Sequence, residues 1–263
     1  MKNKILLFVV IASTVVLLNA CKSSNSVNAN AAVGTSIYFP NGDGSSYKYD
    51  VQSSNSSGSA TGTRSTSYNG TSLVGGVTFQ KEVDTLAFST GISTAVSYFR
   101  VSNSEVDYFL DTTGLSASIP DSLIKYLSFS SSLKALEFPF QSGQTWDVFD
   151  MALKIGSFSV PVINVTASYL GTQPLTLTLN GTQSTYTAAQ VNYVLTLTIP
   201  NTSNPLATPT KSTYSAQAWL VQNIGIVKWQ GSGAVFSAFS GNGVSLGDTT
   251  TTVTQTLVSY SLK

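Results

Sequence analysis

The feature that most constrains the fold is an alternation of apolar and polar residues that recurs from segment to segment. In PLTLTLN, Leu175, Leu177 and Leu179 occupy every second position and threonines lie between them. Because alternate residues of a strand point to opposite faces, this pattern predicts an antiparallel sheet with one buried and one wet face. Asn180-Gly181 follows as a typical two-residue hairpin turn. Segments of similar composition, rich in the residues that favour strands, are GTRSTSY, GGVTFQKEVD, TAVSYFRVS, EVDYFLD, AQVNYVLTLTI, STYSAQAWLVQ and TVTQTLVSYSL.

The one stretch with a convincing helical pattern is PDSLIKYLSF. Asp121 is placed to cap its first turn, and Leu123, Ile124 and Leu127 would share one helical face. The chain has a single cysteine, so disulfide bonds within it cannot hold the fold together. We therefore predict an all-β domain over residues 35–263. It should be a curved antiparallel sheet, either a half-barrel or a sandwich, with at most one short helix.

The N-terminus resembles the signal of a bacterial lipoprotein. Lys2 and Lys4 begin it, and the apolar run ILLFVVIASTVVLL that follows is short for a spanning helix. The run ends in LNAC, which resembles the lipobox: a branched apolar residue, a tolerant position, a small residue and Cys21. The resemblance implies cleavage between Ala20 and Cys21, with acyl chains attached at Cys21. The alternative is an ordinary signal peptide, which would leave Cys21 as a free exported thiol.

The segments around this signal predict where the protein resides. Residues 1–20 are the signal peptide, and residues 21–34 are the lipidated cysteine and a small, polar, flexible tether. Lys22 stands where Asp would indicate inner-membrane retention in the lipoproteins of enteric bacteria, so we expect the outer membrane, on either side of it. Without Lys2 and Lys4, 11 basic residues face 12 acidic ones. No basic face suggests nucleic acid. The expected partner is the membrane, contacted through the lipid anchor, and the sequence leaves the ligand or protein partner unidentified.

The stretch FPNGDGSSYKYD has a partner 99 residues later, FPFQSGQTWDVF. The two share a Phe-Pro pair, a glycine and an aromatic residue, which are Phe39 and Phe138, Pro40 and Pro139, Gly44 and Gly143, and Tyr47 and Trp146. Asn41 and Asp43, the residues that invite a calcium or phosphate reading, do not recur. The motif is therefore interpreted as a bend into a hairpin, with no metal site and no cofactor. The recurrence also suggests two related halves, 35–133 and 134–263.

These motifs resemble those of uncharacterised secreted and lipid-anchored bacterial β-domains. Such domains carry F-P-L-x-x-G-x-x-W-x-Y and, later, Y-x-x-G-x-G-x-V-K. The second pattern is matched here by Gly225 to Lys228, although its earlier glycine is replaced by Gln222 or Asn223. The resemblance implies a strongly curved antiparallel sheet, a half-barrel like that of periplasmic lipoprotein carriers, without known catalytic residues.

The chain has no histidine, which excludes Ser-His-Asp and Cys-His catalysis. A pair of carboxylates of the glycosidase kind remains as a catalytic alternative. The candidate pairs are Glu82 with Asp84, Glu105 with Asp107, and Asp147 with Asp150. We expect Glu82 and Asp84 to form an acidic patch on an exposed strand face, with Val83, Val106 and Tyr108 pointing inward. That is an ordinary strand surface, so we predict that the protein is not an enzyme.

A binding role is easier to support from the sequence. Trp219 and Trp229 flank the turn at Gly225, and Trp146 lies elsewhere. Such aromatic residues stack on ligands when they are exposed, but most are core residues. The polar loop Ser240–Thr252 is a further candidate for contacts. We predict a lipid-anchored, non-catalytic envelope protein that binds a hydrophobic or glycan ligand, or a protein partner, on its sheet. A carboxylate-dependent glycan hydrolase is the alternative.

Overall fold

The computed structural model describes residues 38–110, 125–199, 208–239 and 249–263. Within these ranges, thirteen strands form one antiparallel sheet in the order β6-β8-β9-β10-β11-β12-β13-β1-β2-β3-β4-β5-β7. The strands are β1 (Ser46–Asn55), β2 (Gly58–Val74), β3 (Val77–Phe88), β4 (Gly91–Val101), β5 (Glu105–Phe109), β6 (Leu127–Phe129), β7 (Ser132–Glu137), β8 (Thr145–Ile155), β9 (Phe158–Leu179), β10 (Thr182–Ile199), β11 (Thr210–Val221), β12 (Gly225–Ser232) and β13 (Thr252–Ser261). The lipobox, Cys21 and the tether lie outside the described residues.

The hairpin of β9 and β10 confirms the alternating pattern. Leu177 and Leu179 are buried, whereas the threonines between and before them are exposed. The connecting turn has φ of 51° at Asn180 and 81° at Gly181, and these positive values at both central residues identify a type I′ turn. The turn residues and the alternation therefore fix the register of this hairpin together.

The sheet curves until its far ends come together. Trp146 on β8, the second strand in the order, donates from Nε1 to the backbone oxygen of Lys134 on β7, the last strand, at 3.3 Å. Tyr193 on β10 donates from its hydroxyl to the backbone oxygen of Ala135 on β7 at 2.8 Å. Inward-facing side chains from both ends thus share one core. This is the curved sheet that the sequence predicted, in the form of one continuous sheet.

The two Phe-Pro motifs share a turn at their glycines, although of the two Phe-Pro bonds only Phe138–Pro139 is cis. Gly44 and Gly143 have φ of 84° and 77°, and in each copy a backbone N–H closes the turn three residues back. Ser45 donates to Gly42 at 2.9 Å, and Gln144 donates to Gln141 at 3.0 Å. The interpretation of the motif as a bend into a hairpin describes both sites. The division into two related halves stays a prediction.

The prediction of a helix at PDSLIKYLSF is wrong for the residues of this segment that the structure describes. Leu127–Phe129 forms β6, which pairs with Met151–Leu153 of β8. The neighbouring strand thus satisfies backbone groups that a helix would bond internally. Asp121 to Ile124 lie outside the described residues. A six-residue helix, α1 (Gly233–Ala238), occurs elsewhere and is capped by Ser232, whose side chain accepts from the Ala234 N–H.

Candidate functional site

The concave side of the sheet is not completely filled. A cavity of about 180 Å³ remains between the inward faces of the strands and helix α1. Its walls combine aromatic side chains with a cluster of charged ones, and the aromatic set includes Tyr47, Tyr49, Tyr68, Tyr108, Tyr193 and Trp229. The charged set is Arg64, Glu82 and Asp84. This cavity is the candidate site.

Arg64 on β2 is the centre of the charged cluster. Its Nε donates to Asp84 Oδ1 at 2.9 Å and its Nη2 to Asp84 Oδ2 at 2.6 Å, a bidentate pair. The same Nη2 reaches Glu82 Oε1 at 3.4 Å, and Nη1 donates to Gln255 Oε1 on β13 at 3.0 Å. One guanidinium is therefore shared unequally between two carboxylates.

The neighbouring strands complete the network. Thr66 on β2 donates from its hydroxyl to Asp84, and Tyr108 on β5 donates to Glu82 Oε2 at 2.8 Å. The guanidinium carbon of Arg64 lies 5.8 Å from the centroid of the Tyr49 ring on β1. Side chains from five strands thus hold a cluster that no single strand could form.

The expectation that Glu82 and Asp84 lie on an exposed face is wrong. Only 3% of Glu82 and 7% of Asp84 is exposed, whereas Val83 between them is on the outer side and half-buried. The rule that acids face water fails here because Arg64 lies two residues diagonally from Asp84, on the same face of the hairpin. A buried carboxylate with a bonded counter-ion is tolerated where an unpaired one would not be.

A β-bulge places Arg64 on that face. Thr71 pairs with Gln80 but Tyr68 pairs with Glu82, so β2 has one residue more than β3 across this step. The extra residue lies at Asn69-Gly70, and φ at Gly70 is 69°, as in bulges that use glycine. Without it, Arg64 would lie on the other face, because a one-residue slip exchanges the two faces of a strand.

The opening motif holds this bulge in place. Asp43 Oδ1 accepts from the backbone N–H of Gly70 at 2.6 Å. The backbone N–H of Gly44 donates to the oxygen of Tyr68 at 2.8 Å, and the N–H of Tyr68 donates to the oxygen of Ser45 at 3.0 Å. Asp43, which invited a metal reading in the sequence, is thus a structural acceptor beside the candidate site.

The two carboxyl groups have different pKa values because their surroundings differ. Burial and, next, the nearby negative charge of Asp84 raise the pKa of Glu82 to about 8 against the opposing effect of Arg64. Burial would also raise the pKa of Asp84, but its direct pairing with Arg64 outweighs this and holds the value below its usual range. At neutral pH Asp84 is ionised and Glu82 retains its proton.

The other candidate acids do not reach the cavity. Asp107 alternates with Val106 and Tyr108 and pairs with the exposed Arg100 on β4, so it lies on the outer face as expected, but it is buried there among neighbouring side chains. Burial and the neighbouring Glu105 raise the pKa of Asp107 to about 6. Glu105 lies 3.5 Å from Lys134 Nζ. Val106 is fully buried, as predicted.

Asp147 and Asp150 lie on the outside of β8. Both are exposed, and Asn164 on the adjacent strand donates to Asp150 Oδ1 at 2.5 Å. They face away from the core residues Trp146 and Val148 that alternate with Asp147. The pair therefore has no access to the cavity.

The three tryptophans are core residues. Trp146, Trp219 and Trp229 are 5–7% exposed, and of these only Trp229 lines the cavity, where its ring stacks on Tyr193 at 5.0 Å between centroids. The turn at Gly225 lies close to Pro40 of the Phe-Pro motif, because a Cβ added at Gly225 would lie 3.4 Å from Pro40 Cδ. The Phe-Pro motif and the Gly225 turn thus pack together at the edge of the cavity. Most of the loop Ser240–Thr252 lies outside the described residues.

The site residues that the sequence did not single out as partners of the acids are Arg64, Thr66, Tyr108 and Gln255. The spacing of Arg64 and Asp84 around the turn glycines Gly75-Gly76 gave no signal, because an unbroken hairpin would place the two on opposite faces. Within the described ranges, no group of three or more metal-ligating side chains converges. The described part of the chain also contains no helix long and apolar enough to cross a membrane.

Two solved structures are similar to this chain. One is a protein of Parabacteroides distasonis described as a candidate lipoprotein, with 10% identity, a TM-score of 0.41, and coverage of 86% of this chain and 98% of that chain. The other is a protein of Bacteroides fragilis described as a candidate exported protein with a YmcC-like fold. It has 11% identity and a TM-score of 0.41, and the similarity covers 86% of this chain and 99% of that chain. No protein-family model and no curated protein matches the sequence.

Proposed function

We propose that this chain is a lipid-anchored protein of the bacterial cell envelope that binds a small, largely apolar ligand inside its curved sheet. The observation that carries the proposal is the cavity of about 180 Å³ left open among the inward-facing side chains of the sheet. Protein interiors normally fill such space, because voids forfeit packing contacts. Cavities of similar size accept a ring of about six non-hydrogen atoms, so the ligand is small.

Ligand binding is tested with fluorobenzene, followed by ¹⁹F NMR, on the full chain carrying Cys21→Ser. Ala95 on β4 lines the cavity, so Ala95→Leu fills part of it and should weaken binding about tenfold or more, roughly the effect of 1.4 kcal/mol. Val96→Leu adds a methylene on the outer face of the same strand and should leave binding unchanged. Equal binding by both variants, or no binding by the parent chain, would contradict the proposal.

The anchor is proposed from the lipobox and Cys21, and the outer membrane from Lys22. Several acyl chains on one residue suffice for stable anchoring, since each buried CH₂ contributes about 0.8 kcal/mol. Cys21→Ser should move the protein from the membrane fraction to the soluble fraction. Retention of the variant in the membrane would refute the lipid anchor. Fractionation of the unaltered protein between inner and outer membranes tests the location.

A glycan hydrolase is the second candidate, favoured by one observation. Glu82 retains a proton at neutral pH beside the ionised Asp84, which is the protonation pattern of an acid and its partner in glycosidases. The two lie on one strand and share Arg64, instead of facing each other across a cleft. Hydrolysis of envelope glycans that is lost in Glu82→Gln and kept in Glu105→Gln would establish this function over the binding role.

A further inference from the structure

We propose that the ligand of this cavity is an organic cation, a small substituted ammonium ion, held among the aromatic rings against the Glu82 carboxylate. This inference rests on the proposed binding function and names the chemical class of its ligand. It follows from the balance of charge at the cavity wall, from the aromatic lining and from the size of the space.

The charge balance leaves one carboxylate without a full counter-ion. Among the described residues that line the cavity, Arg64 is the only base and it faces two acids. Asp84 takes the two shorter bonds of the guanidinium, at 2.9 and 2.6 Å, whereas Glu82 has a contact of 3.4 Å and the Tyr108 hydroxyl. Once Glu82 is ionised, a positive group in the cavity would supply the charge that Arg64 does not, and an anion there would face net repulsion.

The aromatic lining suits the same kind of ligand. Tyr47, Tyr49 and Tyr68 lie on β1 and β2, while Tyr108 and Trp229 approach from β5 and β12. Faces of such rings attract cations, most strongly where the contact is shielded from water. The cavity already shows this chemistry, because the Arg64 guanidinium lies 5.8 Å from the centroid of the Tyr49 ring.

Binding of a cation is coupled to the proton on Glu82. The charged or titratable groups around this carboxyl are Arg64 on β2, Asp84 on β3 and Tyr108 on β5, with the other cavity tyrosines behind them. Burial raises the pKa of Tyr108, as it does for the tyrosines of β1 and β2, so these phenols stay neutral. Burial and the charge of Asp84 raise the pKa of Glu82 to about 8, and a bound cation would favour the ionised form. The affinity for a permanent cation should therefore rise as the pH rises toward and past 8.

The test compares choline with its uncharged isostere 3,3-dimethylbutan-1-ol by isothermal titration calorimetry on the full chain carrying Cys21→Ser. Choline keeps its charge at every pH, so only the protein titrates. We expect choline to bind about tenfold tighter than the alcohol at about pH 8.5, and this preference to shrink by about pH 6.5. In Glu82→Gln the two probes should bind within about threefold of each other at both pH values.

The outcomes separate this inference from the function on which it rests. If the alcohol binds as well as choline at both pH values, the cation is refuted while the binding cavity stands. If neither probe binds but fluorobenzene does, the cation is again refuted alone. If none of the three binds, both proposals fail. If Glu82→Gln does not fold, the test is the pH dependence of binding to the protein with Glu82 in place. A preference for choline over the alcohol that does not change with pH would refute the role of Glu82.

Discussion

Replacing Arg64 with methionine tests whether the buried charge cluster has the energetics that its geometry implies. Methionine keeps most of the apolar stem and removes the guanidinium. Asp84 then keeps the Thr66 hydroxyl, Glu82 keeps that of Tyr108, and the two carboxyl groups keep their contact with each other, but neither has a positive partner. Both carboxyls are more than nine-tenths buried, so they cannot recover the lost interaction from water. Removing one partner of such a buried pair costs about 3–5 kcal/mol.

Urea unfolding followed by tryptophan fluorescence measures this loss, since all three tryptophans are buried in the folded state. A loss of this size lowers the midpoint by roughly 1–2 M, given the usual slopes in urea. The loss should be larger at about pH 8 than at about pH 5. Without Arg64 both carboxyls have raised pKa values in the folded state, so stability is lost as the pH rises through those values.

The double variant Arg64→Met/Asp84→Asn is the matched control. It removes the orphaned charge together with its partner, so it should recover about half or more of the stability that the single variant loses. A single variant within about 1 kcal/mol of the parent at alkaline pH would refute the reasoning, because that is the level of an exposed ion pair. So would a double variant that is no more stable than the single one.

Two further perturbations follow from the same structure. In the unfolded chain Glu82 loses its proton around its ordinary pKa of 4.5, whereas the pKa in the folded protein is about 8. The free energy of unfolding should therefore fall as the pH rises from 4.5 to about 8. Urea unfolding across this range should show that slope in the parent and a flatter one in Glu82→Gln. Gly231→Ala places a Cβ 2.3 Å from backbone on β11, and should lower stability by more than about 3 kcal/mol. Gly156→Ala, with φ of 61° and no atom within 4 Å, should cost about 1 kcal/mol in the same assay.

Patterns among neighbouring residues in the sequence were enough to predict much of the fold. The alternation around Leu177 and the turn at Asn180-Gly181 predicted a hairpin that the structure contains, because side-chain direction and turn type depend on a few adjacent residues. The Phe-Pro motif was interpreted correctly as a bend for the same reason. The helix at PDSLIKYLSF failed at Leu127, where pairing with β8 decided the conformation.

The candidate site was beyond such patterns, because its residues come from strands that are distant in sequence. Glu82 and Asp84 were recognised as a pair, but two acids on alternate positions indicate an exposed face unless a counter-ion is known. That counter-ion, Arg64, is 20 residues from Asp84 in the chain. Gln255 joins it from the opposite end of the sequence.

What the sequence by itself determined is the class of the protein: the strands, several of their turns, and an N-terminal signal that resembles a lipoprotein's. What only the tertiary structure decided is which side of the strands faces the cavity. The single extra residue at Asn69-Gly70, held by Asp43, shifts the pairing of β2 by one and brings Arg64 to the face of the two acids. A shift of one residue exchanges the faces of a strand while leaving its composition unchanged, so no local pattern could reveal it.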